Sequence, residues 1–96
     1  MVVHIVMFEF KEENKVQNIA KVKQELERLP SLIDGLQKME VGVNFNDSER
    51  AMDLSLYSTF ATKEDLQAYA LHPEHLKVVE LIKEVSVVSK VVDYVV

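Results

Sequence analysis

Apolar and polar residues alternate along this chain with two different periods, which divide it into strands and helices. Val2–Phe10, Leu36–Val43 and Met52–Phe60 are rich in β-branched or aromatic residues. In the third of these segments Met52, Leu54, Leu56 and Phe60 alternate with Asp53, Ser55, Tyr57 and Thr59. A fourth segment, Val85–Val96, consists mostly of valine. Short segments of this kind, bounded by charged or turn-forming residues, are typical of β-strands. The pattern therefore predicts four strands.

A helical period appears between the first and second strands. From Asn14 to Leu29 the apolar residues recur every three or four positions, as they do on one face of an amphipathic helix. They are Val16, Ile19, Val22, Leu26 and Leu29. Asn14 is expected to cap this helix, and Pro30 is expected to stop it because proline disfavours helical geometry at the residue before it.

The helical segment after the third strand is predicted to be broken at Pro73. Thr62 opens it, with Asp65 completing an approximate capping box. Its inward stripe is expected to contain Leu66, Tyr69 and Ala70. Because proline is favoured in the first turn of a helix, His72 becomes the cap of a new helix that runs from Pro73 to about Glu84.

The resulting order, β-α-β-β-α-β, predicts an α+β fold of the ferredoxin-like kind, with a four-stranded antiparallel sheet and both helical segments on one face. Residues 1–96 are expected to form a single domain. In the first and last strands, residues of both parities are mostly apolar. Since helices cover one face only, the sequence predicts a homodimer through the uncovered face of the sheet, paired into a dimeric α+β barrel.

Composition and charge narrow the functional class. The chain is 48% hydrophobic with a net charge of -5, and its eleven Lys and Arg residues are scattered, which argues against a nucleic-acid surface. The absence of cysteine excludes disulfides, thiolate nucleophiles and sulfur-rich zinc sites. No signal peptide or membrane-spanning run is recognised, so the sequence favours a cytoplasmic protein without a membrane partner.

The stretch "YALHPEHL" at residues 69–76 contains two of the three histidines. His72 and His75 are three residues apart and could share a metal ion with His4, but the cap role of His72 argues against it, and no metal is predicted. His75 lies on the buried stripe of its helix and Tyr69 on that of the preceding one. A neutral imidazole there can take a proton from a carbon acid while the phenol donates to the developing enolate.

Strand order also predicts a neighbour for His4. In this topology the first and last strands are antiparallel neighbours, which places His4 near Asp93, and a hydrogen bond between them would fix the imidazole tautomer. A purely structural interpretation stands beside the catalytic one, because buried polar groups can simply satisfy one another and fix the helix break. Both interpretations stay open for His75, whereas the structural one is favoured for His72.

Five short motifs, taken in order, resemble the stress-responsive dimeric A/B barrel domain family, Dabb. The motifs are H-x-V-x-F-x-F-K at 4–11, VGVNF at 41–45, F-x-T-x-E-D-L-x-x-Y at 60–69, HPEH at 72–75 and VVDY at 91–94. The resemblance covers nearly the whole chain, and it implies ferredoxin-like units whose sheets close into a barrel across a dimer. Most members have no established reaction.

One plant branch of that family, the polyketide cyclases, closes a linear poly-β-ketone by aldol condensation. The resemblance implies that Tyr69 and His75 match its catalytic tyrosine and histidine, and that His4 matches its pocket histidine. Leu26 stands where those cyclases have a second pocket tyrosine, which is a departure from their pattern.

The sequence thus predicts a dimeric barrel protein of unestablished activity, without a cofactor, that binds a small apolar or phenolic ligand between sheet and helices. The candidate catalytic residues are His75, as a base, and Tyr69, as a hydrogen-bond donor. The predicted pocket residues are His4, Val6, Phe8, His72 and Asp93. The alternative is a cofactor-free lyase, cyclase or isomerase acting on a polyketide-like carbonyl compound. A cofactor-free oxygenase rests on fold analogy alone and ranks last.

Overall fold

The computed structural model describes residues 1–96, which form four strands and three α-helices. The elements are β1 (Val2–Phe10), α1 (Lys15–Glu27), a 3-10 turn (Leu29–Ser31), β2 (Leu36–Val43), β3 (Leu54–Phe60), α2 (Lys63–Leu71), α3 (Pro73–Val85) and β4 (Ser86–Val95). The strands form one antiparallel sheet in the order β2-β3-β1-β4. The predicted ferredoxin-like α+β fold, with its second helical segment divided at Pro73, is confirmed.

The core lies between the helices and one face of the sheet. Alternate residues of β1 are buried there, as are two positions of α1 four residues apart, Val22 and Leu26. Both spacings follow from geometry, because a strand presents every second residue to one face and a helix every third or fourth. Fifteen buried hydrophobic residues form this cluster. The cavity described below opens at its edge.

Gly35 forms the turn before β2 in a conformation that other residues rarely adopt. Its φ is 89°, and a Cβ atom at this position would come within 3.1 Å of the Asp65 side chain. Glycine is favoured at such a position because it lacks the Cβ atom. Asp34 and Gly35 therefore form the turn that leads into β2.

Of two predictions about the first helix, the cap at Asn14 is confirmed in position only, and the burial of Val16 is wrong. Asn14 does precede α1, but it lies in the left-handed region, at φ 54° and ψ 31°, and its side chain makes no capping bond. Asparagine tolerates this conformation, and its backbone carbonyl accepts the first helical bond from Asn18 at 2.9 Å. Val16, expected on the buried stripe, is 77% exposed, because the contacts of α1 with the core begin one turn later at Ile19.

Two further details differ from the prediction, one at the start of β3 and one in α2. The third strand begins at Leu54, not Met52, because the Asp53 carboxylate accepts the Phe10 backbone N–H at 2.7 Å in place of a regular ladder bond. Ala70, expected to face inward, is exposed. The nine-residue helix α2 has Tyr69 as its one fully buried side chain.

The face of the sheet opposite the helices is bare and largely apolar. Ile5 lies directly across from Tyr57 and from Val92, and directly opposed residues share a face. Met7 and Tyr94, on the same face, are also exposed hydrophobic residues. The second apolar face predicted from the sequence is therefore present. None of the three helices is both long enough and apolar enough to cross a membrane.

Candidate functional site

The break at Pro73 gives the two neighbouring histidines different roles. His72 is extended, at φ -66° and ψ 135°, and its Nδ1 accepts the Glu74 backbone N–H at 3.1 Å, which caps α3. Pro73 occupies the start of α3, where a proline costs no hydrogen bond. His72 was also predicted to line a pocket, but it is not among the residues that line the cavity below, because its ring serves the helix terminus.

His75 is oriented by the end of the preceding helix. The last carbonyls of a helix have no partner within it, and the Ala70 carbonyl of α2 lies 3.0 Å from Nδ1 of His75. A carbonyl oxygen can only accept, so Nδ1 carries the proton and donates it. In neutral His75 the free lone pair is therefore on Nε2, the nitrogen that can act as a base.

Burial lowers the pKa of His75 below its ordinary value of 6.5. The hydrogen bond to Ala70 opposes this shift, while the neighbouring imidazoles of His4 and His72 add to it. A lowered pKa leaves the ring uncharged at neutral pH. Its Nε2 lone pair is then available without any prior loss of a proton.

The same shift predicts how stability depends on pH. Because the pKa of His75 is lower in the folded than in the unfolded chain, the unfolded chain binds more protons as pH falls below 6.5. Folding stability is therefore expected to decrease as the pH falls through the folded pKa. Denaturant titrations from about pH 8 to about pH 5 would measure this, and the wild type should lose more stability than His75→Ala. Parallel profiles for the two proteins would contradict the lowered pKa.

Tyr69 places a phenol beside this imidazole. The two ring centroids are 4.2 Å apart, and the Tyr69 ring also packs against Phe60 at 5.2 Å and His4 at 6.2 Å. The side chain is 1% exposed, and its hydroxyl is the only buried side-chain nitrogen or oxygen without a hydrogen-bond partner. Burial raises the pKa of this hydroxyl above its ordinary 10.0, so it stays a neutral donor.

His4 and Asp93 form the predicted pair across β1 and β4. They are register partners, and His4 Nδ1 lies 2.5 Å from Asp93 Oδ1. A carboxylate accepts, so Nδ1 of His4 donates, and the free lone pair of a neutral His4 is on Nε2. Asp93 itself lies outside the cavity and lines a neighbouring groove between α2 and the end of β4.

An open cavity of about 370 Å³ lies between the sheet and helices α1 and α3. Nine of its fourteen lining residues are hydrophobic. The lining residues are His4, Val6, Phe8, Leu26, Leu56, Tyr69, His75, Val78, Val79, Ile82, Lys83, Ser86, Ser89 and Val91. The structure thus brings both candidate catalytic residues together with three of the five predicted pocket residues, and leaves out His72 and Asp93.

Three polar lining residues were missed by the sequence reasoning: Lys83, Ser86 and Ser89. Strand parity could have found Ser89, which shares a face of β4 with Asp93, four residues later. Lys83 and Ser86 give no such signal, because the period of the pattern changes from helix to strand between Val85 and Ser86. No group of three or more His, Cys, Asp or Glu side chains is placed so as to hold a metal ion.

Comparisons with known proteins agree with this architecture. The family model of the stress responsive A/B barrel domain, Dabb, matches residues 2–96. A stress-response A/B barrel domain-containing protein of Arabidopsis thaliana is 32% identical over 77 residues, which are 80% of this chain and 29% of that protein. The matched part of this chain thus spans less than a third of the length of that relative.

Two solved structures are also similar. A dimeric protein of unknown function with a ferredoxin-like fold, from Bacteroides fragilis, is 35% identical with a TM-score of 0.89 over 97% of this chain and 93% of its own. A hydroxynitrile lyase from Passiflora edulis has a TM-score of 0.88 over 99% of this chain and 92% of its own. At 17% identity, that second likeness extends to the fold alone.

Proposed function

This chain belongs to the Dabb family of stress-responsive A/B barrel domains, and we propose that it binds a small, mostly apolar compound in the cavity beside His75. The Tyr69 hydroxyl carries this proposal, because it is buried, lacks a partner and belongs to a residue that lines the cavity. A buried hydroxyl without a partner costs about 1–3 kcal/mol, which a ligand oxygen would recover. A carbonyl or phenolic oxygen on an apolar body has the required chemistry.

The dimensions of the cavity support a ligand of modest size. Its volume of about 370 Å³ lies near the lower end of ligand pockets, and its mostly apolar lining with a few convergent polar groups is characteristic of them. Leu26 contributes an apolar wall where the plant cyclases place a tyrosine. The lining therefore favours an aliphatic or aromatic body over a polyhydroxylated one.

A homodimer is part of this proposal. The bare face of the sheet exposes Met7, Val92 and Tyr94, and exposed apolar patches of this kind are typical of interfaces. The Bacteroides fragilis relative, 35% identical, is dimeric. Packing the bare face against a second copy would cover both patches with one two-fold contact.

A ligand screen by thermal shift tests the proposed binding. Carbonyl, phenolic and fatty-acid compounds that raise the melting temperature of the wild type are expected to lose most of that effect in His75→Ala. The physical reason is that His75 forms one wall of the polar end of the cavity, in contact with Tyr69.

His72→Asn is the matched control, because asparagine also caps a helix and His72 does not line the cavity. Ligand-induced shifts should therefore survive in this variant. Shifts that persist unchanged in His75→Ala would count against the cavity as the binding site.

Cofactor-free carbonyl chemistry is the second candidate function. It is favoured by one specific arrangement, in which a neutral His75 with a free Nε2 lies against the neutral phenol of Tyr69. Nε2 would take a proton from the carbon next to a carbonyl, and the electron pair of that C–H bond would form an enolate. The enolate oxygen would accept the Tyr69 hydrogen bond. Exchange of that proton for deuterium from the solvent separates catalysis from binding alone.

A further inference from the structure

The polar residues that line the cavity fall into two groups. His4, Tyr69 and His75 form the first group, described above. Lys83 in the last turn of α3, with Ser86 and Ser89 in the first half of β4, forms the second. No acidic residue lines the cavity, although acidic residues outnumber basic ones in the chain, 16 to 11. Lys83 is therefore the only residue among the Lys, Arg, Asp and Glu of the chain that lines the cavity.

The register of β1 with β4 separates the two groups. Asp93 lies opposite His4, whereas Ser89 lies opposite Phe8, four residues further along β1. A strand rises by about 3.3 Å per residue, so these positions are roughly 13 Å apart. Val6 and Val91, which pair with each other, line the cavity between them. A ligand that reaches both groups has a polar atom at each end and an apolar middle.

The donors of the second group have no strong partner in the chain. The Lys83 ammonium lies 3.8 Å from the Glu80 carboxylate, and both side chains are at least 70% exposed. Exposed ion pairs of this kind contribute little to stability, so the Lys83 ammonium remains available to a ligand. The hydroxyls of Ser86 and Ser89 make no hydrogen bond within the chain, as is also true of Ser48 and Ser55, whereas those of Ser31 and Ser58 donate to backbone carbonyls.

We infer that the ligand of this cavity is a monocarboxylic acid with an apolar body, whose carboxylate binds Lys83 together with the hydroxyls of Ser86 and Ser89. This inference rests on the proposed function and narrows it from a small apolar compound to an anion. The oxygen at the other end of the ligand accepts from Tyr69. A carboxylate accepts several hydrogen bonds at once, which a neutral ester does less well, so the second group distinguishes the two.

A matched pair of ligands tests this inference. The probe is ω-(para-hydroxyphenyl)hexanoic acid, whose phenol and carboxylate lie at opposite ends of an apolar body, and the neutral comparison is its methyl ester. Calorimetric titration at low ionic strength should show that the wild type binds the acid about three- to fivefold more tightly than the ester. The preference should diminish in high salt, which screens exposed charges.

Variants of two lysines on the same helix locate the effect. Lys83→Gln should abolish the preference for the acid, and Lys83→Arg should retain it. Lys77→Gln is the control, because Lys77 pairs with Glu74 at the same three-residue spacing as Lys83 with Glu80 but does not line the cavity. Lys77→Gln should keep the preference of the wild type.

The outcomes separate this inference from the proposed function. Equal affinity for acid and ester in the wild type, or a preference that persists in Lys83→Gln, overturns the inference. If one of these two results is found, the proposed function still stands provided that the wild type binds the ester and that His75→Ala weakens this binding. Absence of binding by both compounds overturns the proposed function and the inference with it.

Discussion

Val92→Lys is expected to dissociate the proposed homodimer into monomers, weakening self-association by at least about a hundredfold. Val92 is 50% exposed in the single chain and lies across from Ile5 on the bare face of the sheet. In a two-fold interface one substitution introduces two lysines, and an unpaired buried ammonium costs several kcal/mol. A loss of about 2.7 kcal/mol already corresponds to a hundredfold change in the dissociation constant.

Sedimentation velocity over the micromolar range measures this effect. The control is Val16→Lys, which makes the same chemical change at a position of α1 that is 77% exposed on the other side of the sheet. This control should remain dimeric. A Val92→Lys protein that stays dimeric would show that the subunits pair through another surface, and a monomeric wild type would contradict the homodimer itself. Circular dichroism establishes that both variants are folded.

Tyr69→Phe is expected to stabilise the free protein while weakening ligand binding. The substitution removes a buried hydroxyl that has no partner and leaves the contacts of the ring with Phe60 and His75 in place. The expected gain is about 1 kcal/mol in the free energy of unfolding, or an increase of roughly 4–8 °C in melting temperature for a domain of this size. Affinity for a ligand that accepts from this hydroxyl should fall by up to about tenfold.

Two measurements on the same variant distinguish a functional hydroxyl from a structural one. Thermal unfolding without ligand measures the change in stability, which should be positive. Calorimetric titration with the phenolic acid measures the change in affinity, which should be negative. If the protein also catalyses proton exchange at carbon, the rate in Tyr69→Phe should fall by about a hundredfold or more, as for the loss of an oxyanion donor. Tyr57→Phe, on the opposite face of the sheet, is the control. A Tyr69→Phe protein that is less stable than the wild type would contradict the conclusion that the Tyr69 hydroxyl has no partner in the free protein.

The gain in stability and the loss of ligand affinity expected for Tyr69→Phe have a common cause. A group that is left without a partner in the free protein lowers its stability, and the same group strengthens binding when a ligand supplies the partner. Tolerance of such a cost is common at functional sites, where activity is retained at the expense of stability. The packing of the ring does not require the Tyr69 hydroxyl, because phenylalanine would fill nearly the same space.

Features that depend on short-range geometry could be predicted from the amino-acid sequence. Enrichment in β-branched and aromatic residues, bounded by charged or turn-forming residues, gave the bounds of β1 and β2 as the structure has them. The division at Pro73 and the cap at His72 follow from the restricted backbone of proline and its neighbour. Strand order was also sufficient to place His4 near Asp93, whereas the register that pairs them directly comes from the structure.

Contacts between individual atoms of the site depend on tertiary packing and could not be predicted from the sequence. The tautomer of His75 depends on the relative placement of α2 and α3, which brings the Ala70 carbonyl to Nδ1. The lack of a partner for the Tyr69 hydroxyl and the presence of Lys83 in the cavity also depend on the packing of several elements together. Periodicity assigns a residue to a face, but the depth at which it is buried is set by residues that are distant in sequence. For that reason Val16 and Ala70 are exposed although both lie at apolar positions of the helical pattern.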